Sequence, residues 1–328
     1  MLSRVPDIPP TIPPLKIERS ERPLWSVMIP VFNCSSYLEE CLNSVLNAIT
    51  ETTHFQIEVI DDASTDADIK KIVEEKGKGK IGYFRQHANV GSLRNFETCI
   101  NRSKGFLIHL LHGDDKVLPD FYKKMDALFN NNPSLGAGFC RYNYITENGK
   151  ILFSSDVEKN KDGVLENWLQ RIAQRQLIQT PSIVVKREVY EKLGSFYAVH
   201  YGEDWEMWVR IAANYAFGYC NQILAEYRQH TNSISGNYFL NGQNIRDLKK
   251  VMDINYTRLP KDKRDKILAA SRKFYAHYAI STARMLWHKH KNKQASKAQI
   301  KEAINLHKDF NILKEILKLN IKFALNIR

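Results

Sequence analysis

The chain has 328 residues, 43% of them apolar, and a formal net charge of +12. That size suits one large α/β domain of roughly 230 residues with an appendage, or two modest domains. No run approaches the ~18–20 consecutive apolar residues of a spanning helix, and the N-terminus lacks the apolar core of a secretory signal, so a soluble or peripheral protein is expected.

Five scattered cysteines, Cys34, Cys41, Cys99, Cys140 and Cys220, form no C-x-x-C pair. They point to neither a disulfide framework nor a zinc site and fit a reducing, cytoplasmic compartment. Charge is unevenly placed. Asn241 to Arg328 hold 21 Lys and Arg against 7 Asp and Glu, a net of +14, whereas the residues before them hold 27 against 29. The basicity therefore belongs to the C-terminal region and implies an anionic partner for it.

Residues 1–23 contain six prolines and little apolar periodicity, which predicts an extended, poorly ordered leader outside the fold. From Trp25 short apolar runs alternate with helical spacing. Strands are expected at Trp25–Val31, Phe55–Ile60, Ile81–Arg85 and Phe106–Leu111, and helices at Tyr37–Asn47, Ile69–Lys76 and Leu93–Arg102. The alternation predicts a mostly parallel, Rossmann-like sheet flanked by helices. Beyond Pro119 the pattern predicts a helix to about Asn130, strands near Ala137–Tyr144 and Ile183–Lys186, a helix at Trp205–Ala213 and a strand near Ile223–Arg228. Residues 24–237 then form the α/β domain and 238–328 a basic helical extension. Its last segment, Phe310–Arg328, sets Ile312, Ile316, Leu319, Phe323 and Ile327 on one row, Leu313, Leu317 and Ala324 beside it, and Lys314, Lys318 and Lys322 on a separate stripe. Such a helix suits a membrane interface.

In sheets of this kind ligands sit beyond the carboxyl ends of the strands. Those positions carry Pro30-Val31-Phe32-Asn33, then Asp61-Asp62-Ala63-Ser64-Thr65-Asp66, then His112-Gly113-Asp114-Asp115. Adjacent carboxylates at a strand end suit a hard divalent cation, which would also neutralise a departing diphosphate. Taken alone, each acidic pair equally describes a turn or a helix cap.

The order of the motifs carries more. Pro-Val-Phe-Asn, Ile-Asp-Asp-Ala-Ser-Thr-Asp, Asn89-Val90-Gly91 with Arg94-Asn95, Gly-Asp-Asp and Gly202-Glu203-Asp204-Trp205 follow one another at spacings that closely resemble the inverting glycosyltransferase family 2, with its GT-A fold. The resemblance runs from about Pro23 to Ser235. It implies a nucleotide-sugar donor, a glycan or lipid-linked acceptor, a role in polysaccharide or glycolipid assembly, and Mn2+ or Mg2+ as cofactor. Carried over residue by residue, Pro30 and Phe32 frame the nucleotide pocket beside Asn33. Asp62, with Asp61 nearby, contacts base or ribose, and Asn89, Gly91, Arg94 and Asn95 line the donor site. Asp114 and Asp115 match the end of the metal-binding motif, Asp115 as the direct ligand ahead of Asp114, which stands nearer the ribose or sugar. Phe32, Ala63 and His112 depart from the family's usual Tyr, Gly and Asp.

An inverting transfer needs a carboxylate to take the acceptor proton. Asp204, at the start of a helix with an apolar face, is the expected base, and Glu203 the fallback. A helix N-terminus favours acidic residues in any case. Arg228 is expected to offset diphosphate charge and His230 to be a third metal ligand. Thr180-Pro181-Ser182 reads as an acceptor-side lining or as a simple strand entrance.

Other nucleotide enzymes fit less well. The segment Pro30–Ser36 has no Gly-rich phosphate loop, no G-x-G-x-x-G follows a strand, and no P-loop is present. A non-catalytic binding module with a basic tail is the alternative of a different class. For the tail, an anionic membrane surface through 310–328, which would place the protein on the inner face of the cell membrane, competes with a helical appendage or homo-oligomer contact, and with nucleic acid.

Overall fold

The computed structural model describes residues 3–49, 54–230 and 238–327. They form two compact units. The first comprises Met1–Trp168, Leu177–Ala198 and Asn214–His230; the second comprises Leu169–Gln176, Val199–Ala213 and Thr231–Arg328.

The first unit is built on ten strands: β1 (Trp25–Val31), β2 (Phe55–Asp61), β3 (Gly82–Arg85), β4 (Leu107–Leu110), β5 (Lys116–Val117), β6 (Leu135–Thr146), β7 (Ile151–Ser154), β8 (Gly163–Val164), β9 (Ile183–Lys186) and β10 (Ala216–Gln229). The sheet runs β3-β2-β1-β4-β9-β6-β10-β5, with β7 on β6 and β8 on β10. Strands β1 to β4 are parallel, β9 is antiparallel to both β4 and β6, and β10 is parallel to β6. The C-terminal ends of β1, β2, β3, β4 and β10 therefore share one edge. Every residue of β1 is buried, as suits a strand that is apolar but for Ser26 and covered on both faces.

Helices α1 (Ser35–Ala48), α2 (Ile69–Gly77), α3 (Ser92–Arg102) and α4 (Phe121–Asn131) cover the sheet. Leu38, Cys41, Leu42, Val45 and Ala48 of α1 are spaced to lie on one face and are buried. The α2 helix starts where Asp68 accepts a hydrogen bond from the Lys71 amide at 3.1 Å, a side-chain cap. Behind β4, His109 is sealed between the Tyr122 hydroxyl at 3.2 Å and the Pro181 carbonyl at 3.0 Å, and burial lowers its pKa to about 3. All five cysteines are buried free thiols.

Two expectations are corrected here. The Pro-rich leader is not outside the fold. Ile12 is 0% exposed, and the carbonyls of Pro6, Pro10 and Pro13 accept from Ala198 N (2.9 Å), Ser195 N (2.8 Å) and Arg187 Nη2 (3.2 Å). A chain of prolines lacks donors of its own but keeps every carbonyl, so it can be held as a strap. The boundary at residue 238 also moves, because Leu169–Gln176 and Val199–Ala213 group with the C-terminal helices.

The remaining helices are α5 (Trp168–Ile172), α6 (Arg187–Leu193), α7 (Glu203–Ala212), α8 (Gln243–Tyr256), α9 (Arg264–His290), α10 (Lys293–Leu306) and α11 (Phe310–Leu325). In the second unit α8, α10 and α11 pack on the long α9. The core includes Ala276, Ala279, Ala283 and Trp287 of α9 and Ile312, Leu319 and Phe323 of α11. Glu206 on α7 is 0% exposed between Arg258 (2.7 Å) and Arg210 (2.9 Å). No helix among the described residues is long and apolar enough to cross a membrane.

Candidate active site

Four parallel strand ends and β10 bring the polar motifs of the first unit to one sheet edge. Phe32 stands at the end of β1 and is 43% exposed, open to a ligand. Asn33, at φ 49°, accepts from Thr65 N at 2.8 Å, and its own amide donates to Ser64 Oγ at 3.1 Å, tying the first motif to the second. The Pro30 carbonyl accepts from Gly113 N at 3.2 Å. A Cβ at Gly113 would lie 2.8 Å from Val31 Cγ2 and 3.0 Å from Cys34 Sγ. Only glycine lets the Asp-Asp turn pass this close to β1.

The second motif is committed to the protein. Asp61 is fully buried and accepts from Ser64 N (2.8 Å), Tyr83 Oη (2.8 Å) and the Arg85 guanidinium. Asp62 accepts from Asn89 Nδ2 (2.8 Å), Val90 N (2.7 Å) and Gly91 N (2.9 Å). Burial raises its pKa despite the two amides that pull it down. Both carboxylates thus brace the wall at which the sequence led us to expect a base or ribose. Asn95 is also buried, donating to the Ile60 carbonyl at 2.9 Å. Arg94 pairs with Glu97 at 2.7 Å and donates to the Ser3 carbonyl at 2.9 Å. Beside it, Arg4 Nε lies 3.0 Å from where a Gly91 Cβ would be. The leader therefore supplies two residues at this wall, which a reading that set the prolines aside could not find.

The third motif gathers His112, Asp114 and Asp115, whose candidate ligand atoms all lie within 4.8 Å of one another. Asp115 is 1% exposed, and its Oδ1 accepts from Arg228 N at 2.8 Å. Its Oδ2 and His112 Nε2 are buried with no hydrogen-bond partner among the described residues. A buried carboxylate oxygen left this way costs several kcal/mol in order-of-magnitude terms unless a cation or water meets it, so the site's chemistry fits a hard divalent metal. Burial, then the neighbouring Asp114, pushes the Asp115 carboxyl well above its usual range. Burial would raise Asp114 as well, but the bond to His230 and the nearby His112 hold it below. A bound cation would reverse the logic for Asp115.

His112, noted in the sequence only as a departure, thus joins the cluster. His230 Nε2 instead meets Asp114 Oδ2 at 2.9 Å, outside the three-residue group. Arg228 is 3% exposed. Its guanidinium donates to the Asp114 carbonyl (2.8 Å), the Glu147 carbonyl (2.8 Å) and Glu40, and lies 4.8 Å from the Tyr37 ring centroid. It clamps the Asp-Asp turn. Thr180, Pro181 and Ser182 are buried at the entrance to β9.

In the second unit, Glu203 and Asp204 open α7. Asp204 Oδ1 accepts from Trp205 N at 2.7 Å, and Oδ2 from Gln176 Nε2. Burial pushes Asp204 up to about 6. Burial, then Asp204 itself, raises Glu203 well above the usual carboxyl range.

The family model for glycosyl transferase family 2 matches residues 26–194. An uncharacterized glycosyltransferase of Methanocaldococcus jannaschii is 28% identical over 211 residues, 63% of this chain and 71% of that one. Bacillus subtilis TuaG, provisionally named a teichuronic acid biosynthesis glycosyltransferase, is 26% identical over 66% of this chain and 83% of its own. Other relatives match over less; this chain spans 36% of an uncharacterized Mycobacterium tuberculosis protein at 35% identity. Among solved structures, S. aureus TarS 1-349 in complex with UDP-GlcNAc superposes with a TM-score of 0.67 at 17% identity, covering 86% of this chain and 81% of that one. The mannosyltransferase PcManGT from Pyrobaculum calidifontis, in complex with GDP-Man and Mn2+, gives 0.54 at 14% identity over 98% and 91%. These likenesses confirm the GT-A fold, and with a family match over more than half of its 328 residues the chain belongs to glycosyl transferase family 2.

Proposed function

We propose that this glycosyltransferase is metal-dependent and inverting, and moves a sugar from a nucleotide-sugar to an acceptor hydroxyl in the assembly of a cell-surface polysaccharide or glycolipid. The observation that carries the metal is the buried, unpartnered Oδ2 of Asp115 beside Asp114 and His112. Asp115, Asp114 and His112 would hold Mn2+ or Mg2+, and His230 would fix the Asp114 carboxylate from outside. When bound, the cation supplies charge neutralisation to the diphosphate. PcManGT, with Mn2+ in its complex, supports the same reading. The polysaccharide role rests on the naming of TuaG.

Phe32 is the exposed side chain at the β1 end that would contact the nucleotide, and the Asp62-braced Asn89–Gly91 turn would shape the wall beside it. Asp204 is proposed as the base, on motif order and on its pKa of about 6, which leaves it ionised at neutral pH. The acceptor oxygen forms its bond to the anomeric carbon, the bond from that carbon to phosphate oxygen breaks, Asp204 takes the hydroxyl proton, and the nucleoside diphosphate leaves.

A thermal-shift or calorimetric screen of UDP-, GDP- and dTDP-sugars, each with and without Mn2+, tests this. One nucleotide should stabilise the protein only with metal, and Asp115→Asn should remove the effect. Equal stabilisation without metal would defeat the metal assignment, and no response to any nucleotide-sugar would favour the binding-module reading.

A further inference from the structure

The terminal helix α11 is apolar on two sides. One row, Ile312, Leu319 and Phe323, is buried in the second unit, with Phe323 edge-on to Trp287 at 5.0 Å and the Trp287 indole donating to the Ile327 carbonyl at 2.9 Å. The opposite row, Phe310, Leu313, Leu317, Ile321 and Leu325, is exposed at 49–77%. The spacing of three or four puts these five on one continuous stripe. Over 16 residues at 1.5 Å rise, the stripe is about 24 Å long.

The exposed apolar face is thus different from the one a simple count of apolar rows would choose. The row of Ile312, Leu319 and Phe323 belongs to the core, and the Leu-rich row is left uncovered.

Lysines mark what would cover it. Lys314 and Lys318 are exposed a turn apart along one border of the stripe. Lys318 also pairs with Glu315, which in turn lies 3.7 Å from Arg284. With Lys322 the helix carries three lysines against one glutamate, within a region whose net charge is +14. A second copy of the same face would bring these cations against one another. Five side chains also fall well short of the roughly 20–30 residues per side of a stable protein interface. An anionic bilayer meets both conditions. It takes a narrow apolar stripe a few ångströms deep, and lysine stems lie along the interface with their ammonium groups among lipid phosphates.

We propose that the exposed stripe of α11 docks this protein on anionic lipid, with Phe310, Leu313, Leu317, Ile321 and Leu325 entering the interface and Lys314 and Lys318 selecting for negative headgroups. The proposal does not depend on the transfer chemistry. Sedimentation of the full chain with phosphatidylcholine vesicles, with and without phosphatidylglycerol, tests it alongside light scattering of the free protein. Binding should require phosphatidylglycerol and weaken with salt. Leu317→Ser combined with Ile321→Ser should lower the partition coefficient by about tenfold or more with an unchanged melting temperature, since both sites are exposed. Lys314→Gln with Lys318→Gln should reduce the preference for the anionic vesicles. No vesicle binding, or binding equal in wild type and the Leu317/Ile321 variant, overturns the proposal. A dimer that this variant dissociates, without vesicle binding, would assign the stripe to a contact between copies instead.

Discussion

Replacing Asp62 with Asn separates bracing from direct nucleotide contact. The native carboxylate accepts three hydrogen bonds, two on Oδ2 from Asn89 and Gly91 and one on Oδ1 from Val90. An asparagine can keep the two on its oxygen, but its amide nitrogen then faces the Val90 N–H, leaving two buried donors opposed. Losing one charge-assisted bond and stranding a donor would cost about 2–5 kcal/mol in sum. Against this, burial already raises the pKa of Asp62, so the substitution also removes a desolvation cost. The net loss should be about 1–2 kcal/mol, a fall in melting temperature of about 2–8 °C for a domain of this size. Urea denaturation and calorimetric titration with the nucleotide-sugar that responds in the screen would measure both effects. Stability should fall and binding weaken together, with part of the affinity regained at low temperature where the loop is better held. Native stability with abolished binding would refute the bracing argument and return Asp62 to the base or ribose.

Asp115→Asn should leave the Arg228 N–H bond on Oδ1 intact while removing a buried carboxylate repelled by Asp114; in metal-free buffer its melting temperature should equal or exceed that of the wild type, and added Mn2+ should no longer raise it. For Asp204, raised to about 6, the base form is lost as pH falls through that value, so kcat/KM should climb with an apparent pKa near 6 and then level off. The same raised pKa favours the protonated folded state, so its contribution to stability is present at acid pH and declines as pH rises through about 6. Asp204→Asn should remove turnover while sparing nucleotide binding, and near-native turnover in that variant would move the base to Glu203. Glu206→Ala removes the buried carboxylate shared by Arg210 and Arg258 in the second unit and should cost about 3–5 kcal/mol by chemical denaturation; a loss under about 1 kcal/mol would mean that the other partners of these arginines, Asn255 for Arg258 among them, suffice.

Much of the sheet was written locally. Mostly apolar runs such as Trp25–Val31 and Ile183–Lys186 place their strands to within a residue or two. The β10 strand was read only from Ile223, yet it starts at Ala216. Its first half carries Gly218, Asn221 and Gln222, and the register to β6 shifts between Cys220 and Ile223, so the period-two signal is interrupted by a bulge. Asp114 and Asp115 were legible because they sit directly after a strand, where topology alone puts them at the ligand edge.

What the sequence determined by itself, then, was which residues reach that edge, since period and strand direction are local properties and the motif order is covalent. Only tertiary structure decided which of them remain available there. Asp61, Asp62, Asn95 and Arg228 are held by partners up to 188 positions away in the chain, whereas Asp115 Oδ2 and His112 Nε2 are left buried without a hydrogen-bond partner among the described residues. The same holds for the leader and for α11. Proline spacing and apolar rows describe which faces a segment has, but whether a carbonyl or a leucine is covered depends on a neighbour brought up by folding, because burial and hydrogen-bond satisfaction are properties of pairs.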